Sequence, residues 1–279
     1  MKYCAAYIKN ILAQNGKILK KSLGQNFLFD KVTLDKIVSA SVEKNTTNIV
    51  EIGAGVGLLT DLLCQNASKV VTIEIDDTLP PLLKETVPHT NFSLHLQDVL
   101  QVDFQSLAAN HFGGERFNIV GNLPYYITTK ILDRLMKYRS LFDRAVIMVQ
   151  REVALRLLSE PGSKEYRATT ICAKALFEIE IICNVAAHNF VPPPHIESTV
   201  VRLTPKENIG IADEKIPAFL SFVERAFLAR RKQLKGIAKA LGTTPDKISQ
   251  TLDTLNIPQT ARAEELSPEQ MIKFFSLLS

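Results

Sequence analysis

Three glycines and two acids, each at or after the end of an apolar run, define the chemistry open to this chain. In "VEIGAGVGLLT" (Val50–Thr60), Gly53, Gly55 and Gly57 lie between a strand-like and a helix-like segment. Glycine lets a ligand approach the backbone closely there, because no Cβ intervenes. Glu74 falls at the end of the next apolar run, "KVVTIEID" (Lys69–Asp76), where a carboxylate can accept both hydroxyl protons of a ribose diol. Asp98 closes the following one, "FSLHLQD" (Phe92–Asp98), and is a natural acceptor for the exocyclic amine of an adenine. All of these strand ends fall on one crevice, so the ligand expected is an adenosine-containing cofactor. An NAD enzyme would carry G-x-G-x-x-G, but Leu58 replaces its last glycine. The spacing G-x-G-x-G fits S-adenosylmethionine better.

The second group is "FNIVGNLPYYITTKIL" (Phe117–Leu132), an apolar strand broken by Gly121 and followed by Asn122, Leu123, Pro124 and Tyr125. The exocyclic nitrogen of adenine is a poor nucleophile because its lone pair is delocalised into the ring. An amide oxygen at Asn122 and the backbone carbonyl of Leu123 could accept its two protons, localise the lone pair and aim it at a methyl sulfonium. No strong base is needed, since the nitrogen becomes acidic on gaining the methyl. Pro124 stiffens the turn and removes a competing N–H. Tyr125 offers a flat face to a base drawn out of its stack. Tyr126 is expected to pack.

Strand-like and helix-like segments must position these groups. The runs ending at Gly53, Asp76 and Asp98, then "RFNIVGN" and "RAVIMVQ", alternate with helical spacing at "VGLLTDLLCQN", "TLPPLLKETV" and Thr128–Tyr138. Such alternation predicts an α/β fold, a mainly parallel sheet covered by helices on both faces. "FEIEIICNV" and "STVVRLTP", separated by "FVPPPHIE", are expected as a neighbouring antiparallel pair at the sheet edge. Beyond Asp213 the spacing is helical. "KIPAFLSFVERAFLARRKQLKGIAKAL" is expected to hold two helices, Thr244-Pro245 opens another, and Ser267-Pro268-Glu269-Gln270 is a capping box. A domain boundary is expected near Pro205–Glu214.

A chain of 279 residues with 46% hydrophobic and 22% charged residues can bury a sizeable core in one large domain with a small companion. The net charge is only +4, but its distribution is uneven. Residues 1–29 contain Lys2, Lys9, Lys17, Lys20 and Lys21 and no acid, and Lys215, Arg225, Arg230, Arg231, Lys232, Lys235 and Lys239 face the single acid Glu224 within 215–240. Both clusters suit a polyanion. Cys4, Cys64, Cys172 and Cys183 show no metal spacing, the histidines share none, and no metal is assigned. No apolar stretch approaches the ~18 residues of a membrane span, so a soluble, cytoplasmic protein is expected.

In order along the chain, "KKSLGQNFLFD" (Lys20–Asp30), "VEIGAGVGLLT", "NLPYYIT", "FVPPPHIESTVVRL" (Phe190–Leu203) and "AFLARRKQLKGIAKAL" resemble the signatures of the small-subunit (16S) ribosomal RNA adenine dimethyltransferase family. The resemblance covers nearly the whole chain from Lys20. It implies a Rossmann-like class I methyltransferase fold with a mostly parallel seven-stranded sheet and a small all-α C-terminal domain. The implied domains are a methyltransferase domain at 20–208 and an RNA-binding helical domain at 209–279, after a basic, disorder-prone extension at 1–19.

The activity implied is S-adenosylmethionine-dependent dimethylation of two adjacent adenosines near the 3′ end of small-subunit rRNA, by a monomer acting on the RNA or the immature subunit during its biogenesis. Residue by residue, Asn26, Leu28, Gly53, Gly55, Glu74, Asp98 and Asn122 would contact the cofactor. Asn122, Leu123, Pro124 and Tyr125 would form the catalytic loop, Tyr125 and Phe190 would sandwich the adenine, and Arg230, Arg231, Lys232 and Lys235 would hold RNA. From its spacing alone Phe190 reads as a core residue. His195 and Glu197 stand where the family often has Lys and Asp. A non-catalytic assembly factor and a DNA adenine methyltransferase are the rivals: the intact Gly53, Glu74, Asp98 and Asn122 set argues against the first, the basic C-terminal segment and "FVPPPHIES" against the second.

Overall fold

Five consecutive buried residues, Asn48–Ile52, make the strand at the centre of the sheet. A strand covered on both faces reads this way, as a continuous run and not an alternating one. The computed structural model describes residues 2–17, 23–43 and 47–279. In chain order, α1 (Ala5–Gln14), β1 (Phe27–Leu28) and α2 (Lys31–Ser41) precede that strand, β2 (Asn48–Ile52). Then come α3 (Leu58–Asn66), β3 (Lys69–Glu74), α4 (Pro80–Thr86), β4 (Phe92–Leu96), α5 (Phe104–Phe112), β5 (Phe117–Asn122), α6 (Thr128–Lys137) and β6 (Phe142–Gln150). They are followed by α7 (Arg151–Leu157), α8 (Ala168–Leu176), β7 (Phe177–Val185), β8 (Phe190–Val191) and β9 (Ser198–Pro205). The last helices are α9 (Ile216–Phe227), α10 (Ala238–Leu241), α11 (Pro245–Thr254) and α12 (Pro268–Leu278).

Seven strands form one sheet in the order β4-β3-β2-β5-β6-β9-β7, and β1 pairs antiparallel with β8 apart from it. The β4, β3, β2, β5 and β6 ladders are parallel, and β9 joins β6 antiparallel. Chain order runs outward from β2 to β4 and then returns to β5 at the other side of β2. The carboxyl ends of β2 and β5 therefore flank the reversal point, where α/β sheets of this kind bind ligands. Gly121 makes this junction tight. A Cβ there would stand 2.7 Å from the Ile52 carbonyl oxygen, so only glycine lets β5 approach β2 one residue before Asn122.

The chain divides into two compact units, Met1–Ala154 with Glu180–Thr204, and Leu155–Ile179 with Pro205–Ser279. The second unit thus begins well before the expected boundary near Pro205–Glu214. The reason is α8, whose buried Ile171, Cys172 and Ala175 belong to a helix that packs with α9 and α12. Its core is aromatic: Phe222 lies 5.4 Å from Phe275 and 6.0 Å from Phe274 between ring centroids. Thr244 and Ser267 cap α11 and α12 as their spacing predicts. Only one of the two helices expected over 215–241 is long. After α9 the chain turns, passes through a short 3-10 segment at Leu234–Ile237 and forms the four-residue α10.

The segment before residue 20 is not simply an extension. Ile8, Ile11 and Leu12 recur at helical spacing, and α1 buries all three in the core of the first unit. Lys2 donates to Asp61 Oδ2 at 2.8 Å, and His89 Nε2 lies 2.8 Å from Oδ1 of the same carboxylate. Lys20 and Lys21, which the sequence places in the first basic cluster, lie outside the described residues.

Candidate active site

One cavity opens at the carboxyl edge of β2, β3, β4 and β5, and its walls include Asn26, Leu28, Gly53, Gly55, Glu74 and Asp98. Asn122, Leu123, Pro124 and Tyr125 line the same cavity. The sequence-predicted cofactor residues and the Asn-Leu-Pro-Tyr turn are thus brought together, although 96 residues separate Asn26 from Asn122.

The three turn glycines serve different ends. Gly53 has φ +82° and open space where a Cβ would project, so it leaves room for a ligand. Gly55, at φ +54°, would place a Cβ 2.9 Å from the Phe27 ring, and Gly57, at φ +83°, would place one 2.7 Å from Thr86 and Val87. The latter two positions need glycine for left-handed backbone and for packing.

Glu74 holds this turn in shape. Its Oε2 accepts from the backbone N–H of Ala54 at 3.0 Å and Gly55 at 3.4 Å, and its Oε1 from Ile75 and Asp76, both at 2.9 Å. Burial raises its pKa and these backbone donors oppose the rise without cancelling it. Asp98 accepts from Leu100 N at 2.9 Å through one oxygen, Oδ1.

Glu51 is the group that the sequence-level assignment omits. It is fully buried within β2, and the hydroxyls of Thr60 and Thr72 both donate to its Oε2 at 2.7 Å. Its Oε1 has no partner and is buried, while the residue contributes to the cavity lining. Burial pushes the carboxyl up to about 7, against the two hydroxyls, which pull it down; Glu74 nearby adds to the rise. An acid inside the otherwise apolar "IVEI" was the available signal, because an unpaired carboxyl is costly there.

The segment Leu23–Leu28 forms a further wall and is tied down at three points. Gln25 Nε2 donates to the buried Asp76 at 2.8 Å, Phe27 lies over Gly55, and the Asn26 carbonyl accepts from Asn122 Nδ2 at 2.9 Å. The Asn26 side chain turns back onto the Gly24 carbonyl at 3.0 Å. Donation to Asn26 commits the nitrogen of the Asn122 amide, so Oδ1 remains as its acceptor. Leu123 N donates to Met148 O at 3.1 Å, and Thr128 Oγ1 donates to the Pro124 carbonyl at 3.1 Å, which pins both ends of the turn. The Tyr125 hydroxyl lies 2.7 Å from Ser198 Oγ, and burial raises its pKa.

Phe190 departs from its expected place. It is 2% exposed, pairs with Leu28 across β1 and β8, and lines a separate groove with Lys9 and Lys17 of the α1 region. The core position read from its spacing is the one observed. Tyr126, expected to pack, is 57% exposed. Of the basic residues, Arg231 and Lys232 are exposed on the turn after α9, and Lys235 is half-buried. Arg230 is committed to an ion pair with Glu264 and reaches the Lys164 carbonyl at 3.4 Å. Glu197 pairs with Arg151 at 3.0 Å. No helix among the described residues is long and apolar enough to cross a membrane.

A glycine-lined crevice at the reversal point of this seven-stranded, mostly parallel sheet, with β9 antiparallel beside β6, defines a class I methyltransferase fold. Within that class the chain belongs to the ribosomal RNA adenine dimethylase family, whose model matches residues 16–279. It is 39% identical over 278 residues to the ribosomal RNA small subunit methyltransferase A of Geobacillus thermodenitrificans, covering 96% of this chain and 93% of the relative. The protein of the same name from Levilactobacillus brevis is 36% identical over 268 residues, covering 95% and 90%. Among solved structures, a dimethyladenosine transferase from Plasmodium falciparum superposes with a TM-score of 0.76 at 26% identity, covering 89% of this chain and 95% of that one. The 23S rRNA methyltransferase ErmE gives 0.66 at 25% identity, covering 91% and 99%.

Proposed function

We propose that this protein, a cytoplasmic monomer, dimethylates the exocyclic amines of two adjacent adenosines near the 3′ end of small-subunit rRNA, on the RNA or the immature subunit, with S-adenosylmethionine as methyl donor. The observation that carries the reading is the tether of Asn122: its nitrogen donates to Asn26 O, which leaves Oδ1 as the acceptor of a side chain that lines the cofactor crevice with Leu123. These two acceptors take the two protons of the target amine and aim its lone pair. Rate enhancement then comes from position and preorganised dipoles, with no covalent enzyme intermediate.

The cavity suits the cofactor on two counts. Open space at Gly53 admits a ligand against the backbone, and the unpartnered Oε1 of Glu51 suits a cationic group. S-adenosylmethionine, when bound, supplies a sulfonium methyl and a cationic amino-acid end. Glu51 and Gly53 are assigned to that end, with Asn26, Leu28 and Gly55 along the wall. Glu74 is assigned to the ribose and Asp98 to the adenine. Glu74 already receives four backbone donors, about the full acceptor capacity of a carboxylate, so the ribose hydroxyls would share its oxygens with the N–H groups that keep the glycine turn in place. Tyr125 supplies the face for the target base. A sandwich with Phe190 requires that ring to leave its buried place between β1 and β8.

RNA backbone contacts are assigned to Arg231, Lys232 and Lys235, whereas Arg230 serves its ion pair first. The experiment is Asn122→Ala with single-turnover methylation of undermethylated small subunits. The expected result is a fall in rate of about 100-fold or more with RNA affinity within about twofold, the scale of losing one preorganised polar group at a reacting centre. Normal turnover would refute the polarising role.

A further inference from the structure

Tyr126 is the one exposed Phe or Tyr ring among the described residues. It stands at the candidate active site: Tyr126 lines the cavity beside Tyr125, on the short 3-10 turn that follows Pro124. Gly24, which has no side chain, faces one side of the ring. A Cβ at Gly24 would lie 3.7 Å from its Cδ1, and the φ of +60° favours glycine there. More than half of the residue remains open to solvent, a cost for a side chain that is mostly apolar. Lys130 is exposed one helical turn further on, and no ion pair is formed by it among the described residues. An open aromatic face with a free cation one turn away is the arrangement that binds single-stranded nucleic acid, base on ring and phosphate on ammonium.

We propose that Tyr126 is the platform for the nucleotide next to the target adenosine. This rests on the function proposed above. Because the two targets are adjacent, the neighbour of either is the other adenosine, and a purine face on Tyr126 makes the pair, and not a lone adenosine, the recognised unit. Tyr126 is then a positioning and specificity residue: Asn122, Leu123 and Tyr125 act on the target base, and Tyr126 fixes where that base enters.

The test uses Tyr126→Ala and Tyr126→Phe with undermethylated small subunits carrying either the natural adenosine pair or a uridine in place of one adenosine. Tyr126→Ala should raise KM for natural subunits about tenfold, the scale of one base–aromatic stack. It should leave kcat within about twofold, and cofactor affinity and Tm unchanged, while Tyr126→Phe behaves as wild type. Uridine should raise KM for the wild type but add nothing further in Tyr126→Ala, since the contact is already lost. Unchanged KM in Tyr126→Ala, or a uridine penalty equal in both proteins, would overturn the assignment alone. A wild type that fails to methylate natural subunits would overturn the assignment together with the function on which it rests.

Discussion

Replacing Glu51 with Gln separates what this buried carboxyl costs the fold from what it does for a ligand. Gln keeps the shape and can still accept from the Thr60 and Thr72 hydroxyls, but it carries no charge. In the native protein the carboxyl titrates at about 7 against an ordinary 4.5, with burial the main cause. An acid with a raised folded pKa favours folding while it is protonated. Stability is therefore lost as pH rises past the unfolded value, and the loss levels off once the folded group also ionises near 7. At about 1.36 kcal/mol per unit, the wild type should lose about 2–3 kcal/mol between pH 5 and pH 8 relative to Glu51→Gln. For a folding unit of this size that corresponds to a relative Tm shift of about 5–10 °C.

The assay is thermal denaturation of both proteins at intervals from about pH 5 to pH 8, read as the difference between their profiles so that other titrating groups cancel. Calorimetric titration with S-adenosylmethionine over the same range supplies the second readout. Wild-type affinity should rise as Glu51 ionises. The Gln variant should bind about tenfold more weakly at the upper end, with a flatter pH dependence, as expected for loss of one charged hydrogen-bond acceptor. Parallel stability profiles would refute the raised pKa, and equal affinities at high pH would refute the role of Oε1.

Gly121→Ala should open the β2–β5 junction by about 0.7 Å, the difference between the 2.7 Å contact of its Cβ with Ile52 O and the 3.4 Å at which ordinary contact begins. Denaturant titration should show a loss of about 1–3 kcal/mol. Turnover should fall about tenfold or more because Asn122 is the next residue, on the scale at which misplacement costs rate. Arg231→Ala and Lys232→Ala should each weaken RNA binding and lower the salt slope of log K by about one. Arg230→Ala should instead lower the Tm of the protein, read by thermal denaturation, because it leaves Glu264 without its cation.

The fold is largely legible because its parallel strands are short apolar runs closed by Gly, Asp, Asn or Gln, and each of these recurs as a sheet strand. The local signals at Thr244 and Ser267 are equally faithful, since a cap depends on neighbours in sequence. Long-range juxtaposition is less visible. Nothing in "GQNFL" announces that Gln25 will meet Asp76 or that the Asn26 backbone will hold the Asn122 amide. The helix α1 is easily passed over in a lysine-rich segment, although Ile8, Ile11 and Leu12 carry the helical spacing. Glu51 was readable as an acid in a buried strand, but its orphaned Oε1 follows from where Thr60 and Thr72 aim their hydroxyls. Phe190 and Tyr126 exchange expectations for the same reason. A ring's exposure is decided by the strand or turn that packs against it: β1 covers Phe190, while Gly24 leaves Tyr126 open.

Incubating the protein with methyl-labelled S-adenosylmethionine and separated ribosomal subunits lacking these modifications, then mapping the labelled nucleosides, identifies the substrate. Dimethyladenosine is expected at two adjacent positions near the 3′ end of the small-subunit RNA and none in the large subunit. Label confined to large-subunit RNA, or an absence of dimethyladenosine from small-subunit RNA whether free or assembled, would contradict the proposed function.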